Sequence, residues 1–358
     1  MIPYLIVFLF AAILFFQKNE TKVSFGFYAL LAVLILFSGL RDMIGGFDVY
    51  VYGQVYESSN DIIKIYPSFE LGFRMFYIFL KNFSDDRYFM FFVCAAVMLS
   101  LHFFTIKKHS PIIYFSVFIL FCKFFLMSFV YLRQGIAMGV IWLSLSAISD
   151  RKFLKFFALA VLAFLLHKSS IIFFPIYFIG NIKFKPLNMF LISVGAFVFS
   201  ISPFSSMFLE LLAENADDKV GVYIEKSGGM NFFYLIECII LIYLMLKFRA
   251  DFYKTKFTTL IINGLFSYIL VNIMALTNAS FLRFGWYYFI FLVFALPYIY
   301  TFIKDRRFRA NYKMLIFIYY SALFIRLLIS FDDGDFMPYK TIFQDFKRNS
   351  QWDSMEYR

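Results

Sequence analysis

Long apolar runs separated by short polar breaks dominate the chain. A helix that crosses a bilayer needs about 20 mostly apolar residues, within a range of about 17–25. Runs near that size cover residues 2–16, 23–40, 88–105, 111–130, 132–148, 153–167, 169–182, 188–206, 231–248, 258–276, 282–303 and 313–330. The pattern predicts an all-α, polytopic transmembrane helical bundle with about 12 crossings. Segment 68–80 carries Glu70 and Arg74. At about 1.5 Å per residue it is too short to cross comfortably, so a re-entrant or interfacial helix is expected there. The pair 153–167 and 169–182 is also short. It reads as two half-helices meeting at His167-Lys168-Ser169-Ser170, or as one tilted helix broken near Pro175.

Composition moves the solvent from water to lipid. Of 358 residues, 62% are hydrophobic and only 16% charged. Soluble proteins carry about 45–50% apolar and about 25% charged residues. A single integral membrane domain over residues 1–358 is expected, with non-membrane pieces at 41–87, 207–230 and 331–358. No internal repeat or low-complexity tract is visible. The N-terminal run lacks the basic start and the small-residue cleavage pattern of a signal peptide, so it is expected to remain as the first helix. The 56 phenylalanines read as bulky lipid-facing filler. Cys94, Cys122 and Cys238 sit within apolar runs and have neither disulfide nor metal-ligand spacing.

The net charge of +11 fits short cytoplasmic loops rich in Lys and Arg better than nucleic-acid binding. If 68–80 does not cross, the basic breaks at 18–22, 107–108, 151–155, 183–185, 247–256 and 304–313 all fall on one side. That side is cytoplasmic by the positive-inside rule. Most acids then fall on the opposite, outer side, together with both termini.

The candidate chemistry gathers on that outer side. SGLRDMIGGFDVYVYGQVYE offers Arg41, a turn at Gly45-Gly46, then Asp48 and Tyr52. A guanidinium forks onto phosphate oxygens, carboxylates accept sugar hydroxyls, and aromatic faces pack on sugar rings. An interfacial tyrosine belt with a structural Arg–Asp pair explains the same residues. In PSFELGFRMF, Glu70 and Arg74 lie four apart and would share a helix face, as a surface ion pair also would. YLRQGIAMGVIWLSL opens a span with Arg133, near Lys123 of the preceding run. Two cations near one pocket favour a diphosphate, and Gly135 with Gly139 permits close helix packing. In LLHKSS, His167 is the one histidine on the outer side, a base or phosphate donor unless it is a satisfied structural residue. Arg283 opens a later span, and Tyr339 lies in the tail. Glu237 and Arg326 are ionisable residues within spans, site residues or internal partners. No nucleotide-phosphate loop, HExxH, CxxC or GxSxG occurs, which argues against a cytoplasmic sugar-nucleotide transferase.

Arg41, Gly46, Asp48 and Tyr52, then Glu70-x-Gly72-Phe73, Arg133, His167-x-Ser169, Arg283 and Pro338-Tyr339 together resemble the EpsG family. The resemblance runs from about residue 35 to 342. That family comprises polytopic proteins of bacterial exopolysaccharide and O-antigen loci, regarded as Wzy-like polymerases. The resemblance implies a glycosyltransferase, with a GT-C-like architecture possible, on the outer face of the bacterial cytoplasmic (inner) membrane. It implies transfer of a glycan from undecaprenyl diphosphate to a new lipid-linked repeat unit, with no nucleotide, cofactor, metal or nucleic acid. A chain-length regulator protein is an implied partner. On this reading Asp48, Glu70 or His167 supplies the base. Arg41, Tyr52, Arg74, Lys123, Arg133, Arg283 and Tyr339 bind substrate. A lipid-linked oligosaccharide flippase, an O-antigen ligase and a membrane acyltransferase are the rival readings. The flippase would want internal repeats and polar residues at both faces.

Overall fold

The computed structural model describes residues 1–17, 23–58, 69–205, 207, 232–278, 281–330 and 336–344. Among them the secondary structure is helical, apart from an isolated antiparallel bridge between Arg41 and Thr341. The helices follow the apolar runs: Ile2–Phe15, Phe25–Gly39, Arg87–His109, Ile113–Phe124, Leu132–Trp142, Phe153–Leu166, Pro186–Ile201, Phe232–Phe252, Lys256–Met274, Leu282–Phe302 and Arg306–Ser330.

Arg87–His109, Lys256–Met274, Leu282–Phe302 and Arg306–Ser330 are four helices long and apolar enough to cross a membrane. Several other apolar helices are shorter, so the described helices carry fewer full-length candidates than the apolar runs predict. Local breaks account for part of the difference. Run 111–130 becomes Ile113–Phe124 and a 3-10 turn at Met127–Phe129. There the Ser128 hydroxyl donates back to the Phe125 carbonyl at 2.5 Å, a bond that competes with regular helix. Run 132–148 divides into Leu132–Trp142 and Leu145–Ser149. Run 169–182 becomes a 3-10 stretch, Lys168–Phe173, and the short helix Ile176–Ile179 after Pro175, whose ring cannot donate to a helix ladder.

Two compact units organise the chain. One comprises Met1–Leu143, Leu162–Lys168 and Ile303–Arg358; the other comprises Ser144–Val161 and Ser169–Phe302. In the first unit, Arg87–His109 packs against Phe25–Gly39, Phe47–Glu57 and Leu132–Trp142. Gly139 makes the last contact close: a Cβ there would stand 2.7 Å from Leu101 Cβ. His102 on the central helix bonds the Gly135 carbonyl at 2.9 Å and lies 4.6 Å from the Trp142 ring. Ile2–Phe15, Ile113–Phe124 and Arg306–Ser330 interleave aromatic rings. Phe8 stacks on Phe324 at 5.5 Å, and Phe118 on Phe317 at 5.3 Å. Filler toward lipid is therefore only part of what phenylalanine does, because Phe118, Phe129 and Phe324 are wholly buried.

Within the second unit, Lys256–Met274 packs against Pro186–Ile201, Phe232–Phe252 and Leu282–Phe302. Gly264 lets the Phe291 ring approach so near that a Cβ would overlap it. The Asn263 amide donates to the carbonyls of Ile179, Gly180 and Ile182 at 2.7–2.9 Å. Those bonds satisfy carbonyls at and beyond the C-terminal end of the short helix Ile176–Ile179.

The expected outer loop holds an unanticipated helix, Phe47–Glu57, entered through Gly46 at φ +80°. Glycine reaches that conformation without steric cost. Tyr50, Tyr52 and Tyr56 of this helix point inward and are buried, so they do not form an interfacial belt. The segment expected as a short non-crossing helix forms Leu71–Lys81. Its 11 residues span about 16 Å. The tail lies across the Ser38–Asp42 stretch. Asp42 N–H donates to Lys340 C=O at 3.0 Å, and Ile342 N–H to Leu40 C=O at 3.1 Å. The Met337–Pro338 peptide is cis.

Candidate active site

A buried carboxylate organises the site within the first unit. Glu70 occupies the N-cap position of Leu71–Lys81 with an extended backbone and makes no side-chain cap bond. Its side chain therefore leaves the helix axis and does not run along the Arg74 face. One carboxylate oxygen, Oε2, accepts from Arg133 Nη1 at 2.6 Å. The other, Oε1, lies 2.7 Å from His167 Nδ1 and accepts from the Lys168 backbone N–H at 3.1 Å. Glu70 thus joins residues 63 and 97 positions away. The expected pairing with Arg74 reduces to a backbone bond, Arg74 N–H to Glu70 C=O at 3.0 Å.

Each partner is delivered by an element end. Arg133 is the second residue of Leu132–Trp142. His167 directly follows Phe153–Leu166, where the ladder ends with His167 N–H on Ala163 C=O at 2.8 Å. The chain then turns into the 3-10 stretch, whose first amide Glu70 accepts. Gly72 brings the short helix against this break: a Cβ on Gly72 would lie 2.7 Å from the Leu165 carbonyl oxygen.

Arg133 is further fixed by aromatic neighbours. Its Nε donates to Tyr52 Oη at 3.3 Å. Its guanidinium lies 4.4 Å from the Phe69 ring centre and 5.8 Å from that of Tyr52, at cation–π distance. Burial raises the Tyr52 phenol above its usual pKa, and the Arg133 charge pulls it down. For Glu70, burial favours the neutral acid. The His167 hydrogen bond, the His167 charge and the Arg133 charge outweigh it and hold the carboxyl down at about 2. Exposure grades outward through the cluster: the Glu70 side chain is 7% exposed, Arg133 19% and His167 23%.

The other predicted residues occupy different surroundings. Arg41 is wholly buried. Its guanidinium donates to the carbonyls of Ser38, Ile44 and Phe129, between the Phe91 and Phe129 rings. Tyr339 stacks on Phe37 at 3.9 Å and donates to the Phe37 carbonyl. Asp48 lies half-buried one turn before Tyr52. Among the described residues, no hydrogen bond joins it to Glu70, Arg133 or His167. Among the described residues the Arg41 guanidinium bonds carbonyls and not Asp48, and Asp42 accepts from the Tyr88 hydroxyl at 2.7 Å. Lys123 is buried in the last turn of Ile113–Phe124. Glu237 is half-buried and Arg326 exposed on their helices. Arg283 opens Leu282–Phe302 in the second unit, where Ser169 Oγ and Tyr287 Oη lie 3.0 Å apart. The sequence reading missed Phe69 and the Lys168 amide. The adjacency of Phe69 to Glu70 is a usable signal for the ring, whereas a backbone donor leaves none.

A buried acid flanked by a part-exposed guanidinium and a part-exposed imidazole has the parts for group transfer with an anionic leaving group. No curated protein and no solved structure matches the chain. The EpsG family match extends over residues 24–341, from before the second helix to the tail bridge, and the chain therefore belongs to the EpsG family.

Proposed function

We propose that this protein polymerises a bacterial surface polysaccharide from lipid-linked repeat units. The single observation that carries the reading is the Arg133–Glu70–His167 chain of bonds. It places a cation and a proton acceptor on either side of one buried carboxylate. The family supports a Wzy-like polymerase. The donor in this reading is a glycan on undecaprenyl diphosphate. The acceptor is a terminal sugar hydroxyl of the next lipid-linked unit.

The acceptor oxygen forms a bond to the anomeric carbon of the donor. The bond from that carbon to the diphosphate oxygen breaks, and the electron pair leaves with the diphosphate. Arg133, held by Tyr52, Phe69 and Glu70, faces the growing negative charge. A preorganised guanidinium there needs little rearrangement as charge develops. The acceptor proton passes to the Glu70–His167 pair. Asp48 and Tyr52 orient sugar hydroxyls, and Arg74 and Lys123 add positive potential for the lipid diphosphate. Arg41 and Tyr339 act at one remove, by tying the tail to the segment that leads into Phe47–Glu57. The reaction takes place on the outer face of the cytoplasmic membrane, in a bundle of about 12 crossings with cytoplasmic basic loops. A chain-length regulator is a further partner in this reading.

The test is the glycan ladder of a deletion strain complemented with wild type or Arg133→Ala. Single repeat units in the deletion, with a ladder restored by wild type but not by the variant, support a polymerase. Full-length polymer remaining on the carrier lipid indicates a ligase, and single units retained on the cytoplasmic side indicate a flippase.

A further inference from the structure

We infer that Glu70 is a positioning residue, which holds His167 through Nδ1 so that His167 Nε2 takes the acceptor proton. This division of labour rests on the polymerase reading and deepens it. Geometry separates the two groups. The Glu70 carboxylate is nearly enclosed, and both its oxygens already accept: Oε2 from Arg133, and Oε1 from the Lys168 amide and His167 Nδ1. Bonding the Nδ1 proton to Oε1 selects the tautomer whose Nε2 carries the lone pair. His167 is also the more exposed member, 23% against 7%.

Electrostatics points the same way. A carboxyl held at about 2 is a weak proton acceptor near neutral pH. The same negative charge, 2.7 Å from Nδ1, favours the imidazolium that forms when Nε2 takes a proton. In the transfer step, the acceptor O–H bond breaks and its proton joins Nε2. The acceptor oxygen bonds the anomeric carbon, and the diphosphate leaves with the electron pair. Imidazolium, Glu70 and Arg133 then form a row of alternating charge.

Other ionisable groups lie on the elements packed here. They are Asp48, Tyr50, Tyr52, Tyr56 and Glu57 on Phe47–Glu57, Arg74, Tyr77 and Lys81 on Leu71–Lys81, Arg133 on Leu132–Trp142, and Lys168 next in the chain. Arg133 and Lys168 oppose a proton on His167, whereas the Glu70 carboxylate bonds the ring directly and favours it.

The experiment uses the full-length protein in nanodiscs, with histidine ring nitrogens labelled. It compares wild type, Glu70→Gln and Glu70→Asp, with His167→Gln to assign the signals. One measurement is the titration of His167 by NMR, which needs no turnover. The other is the pH profile of polymerisation with purified lipid diphosphate-linked glycan. In Glu70→Gln, the His167 pKa falls by about one unit or more. The acid limb of the profile moves to lower pH by the same amount, and the plateau drops on the order of 10²-fold. Glu70→Asp keeps the charge and so keeps the acid limb near wild type. An unchanged His167 titration in Glu70→Gln overturns the positioning role. A shifted titration with an unmoved acid limb overturns the base role of His167. Wild type that titrates as expected but never extends the glycan overturns the polymerase reading, and the base role with it.

Discussion

Arg133 and Glu70 show how much a side chain's chemistry depends on what holds it. Arg133 uses planar geometry: one edge meets a carboxylate, Nε meets a phenol, and a ring lies against its face. Lysine retains the charge but has neither fork nor plane. Arg133→Lys is therefore expected to lower polymerisation by about tenfold or more while the protein reaches the membrane at wild-type level, as a quantitative blot against the ladder will read. Glu70 makes stability depend on acid. Its carboxyl titrates at about 2 in the folded protein, against 4.5 ordinarily. Above about pH 4.5 its contribution to stability is fully present, and it is lost as pH falls through the folded value near 2. Between about pH 5 and pH 3, wild type should lose more melting temperature than Glu70→Gln. Equal losses in both proteins would show that the carboxylate is not held down.

At the scale of elements, the site depends on ends. Glu70 precedes its helix, Arg133 begins one, and His167 follows one. Residues at such positions leave the 3.6-residue periodicity, which is why the spacing of Glu70 and Arg74 suggested a shared face that the structure does not use. Gly72 sets the approach of two such ends. Gly72→Ala places a Cβ against a backbone carbonyl, which cannot rotate away as a side chain does. A loss of about 1–3 kcal/mol in stability is expected, with a lower melting temperature and weaker polymerisation. Gly135→Ala is a useful comparison, because there the Cβ would meet the flexible side chain of Met98. If both variants melt alike, the tight contact at Leu165 does not matter.

At the scale of the whole molecule, the basic loops predict an orientation that labelling can test. Cys94, Cys122 and Cys238 are all buried, so an added cysteine can be labelled over a quiet background. Asp85 is 76% exposed and Lys152 65%. Asp85→Cys should react with an impermeant thiol reagent in intact cells, and Lys152→Cys only after the membrane is opened. The reverse pattern would place the Glu70 cluster on the cytoplasmic side and remove the extracytoplasmic reaction.

The sequence by itself determined the membrane class, the position of nearly every apolar helix and the short helix at Leu71–Lys81. Apolar run length is a local property, and lipid enforces it residue by residue. The same local signals marked Glu70, Arg133 and His167 as candidates, because ionisable side chains beside apolar runs stand out. Only the tertiary structure decided that these three bond to one another, across separations of 63 and 97 residues. It also decided that Arg41 is enclosed by carbonyls while Arg133 keeps an exposed edge. Burial and partnership arise when distant elements meet, and nothing in the order of residues records which helix end will stand beside another.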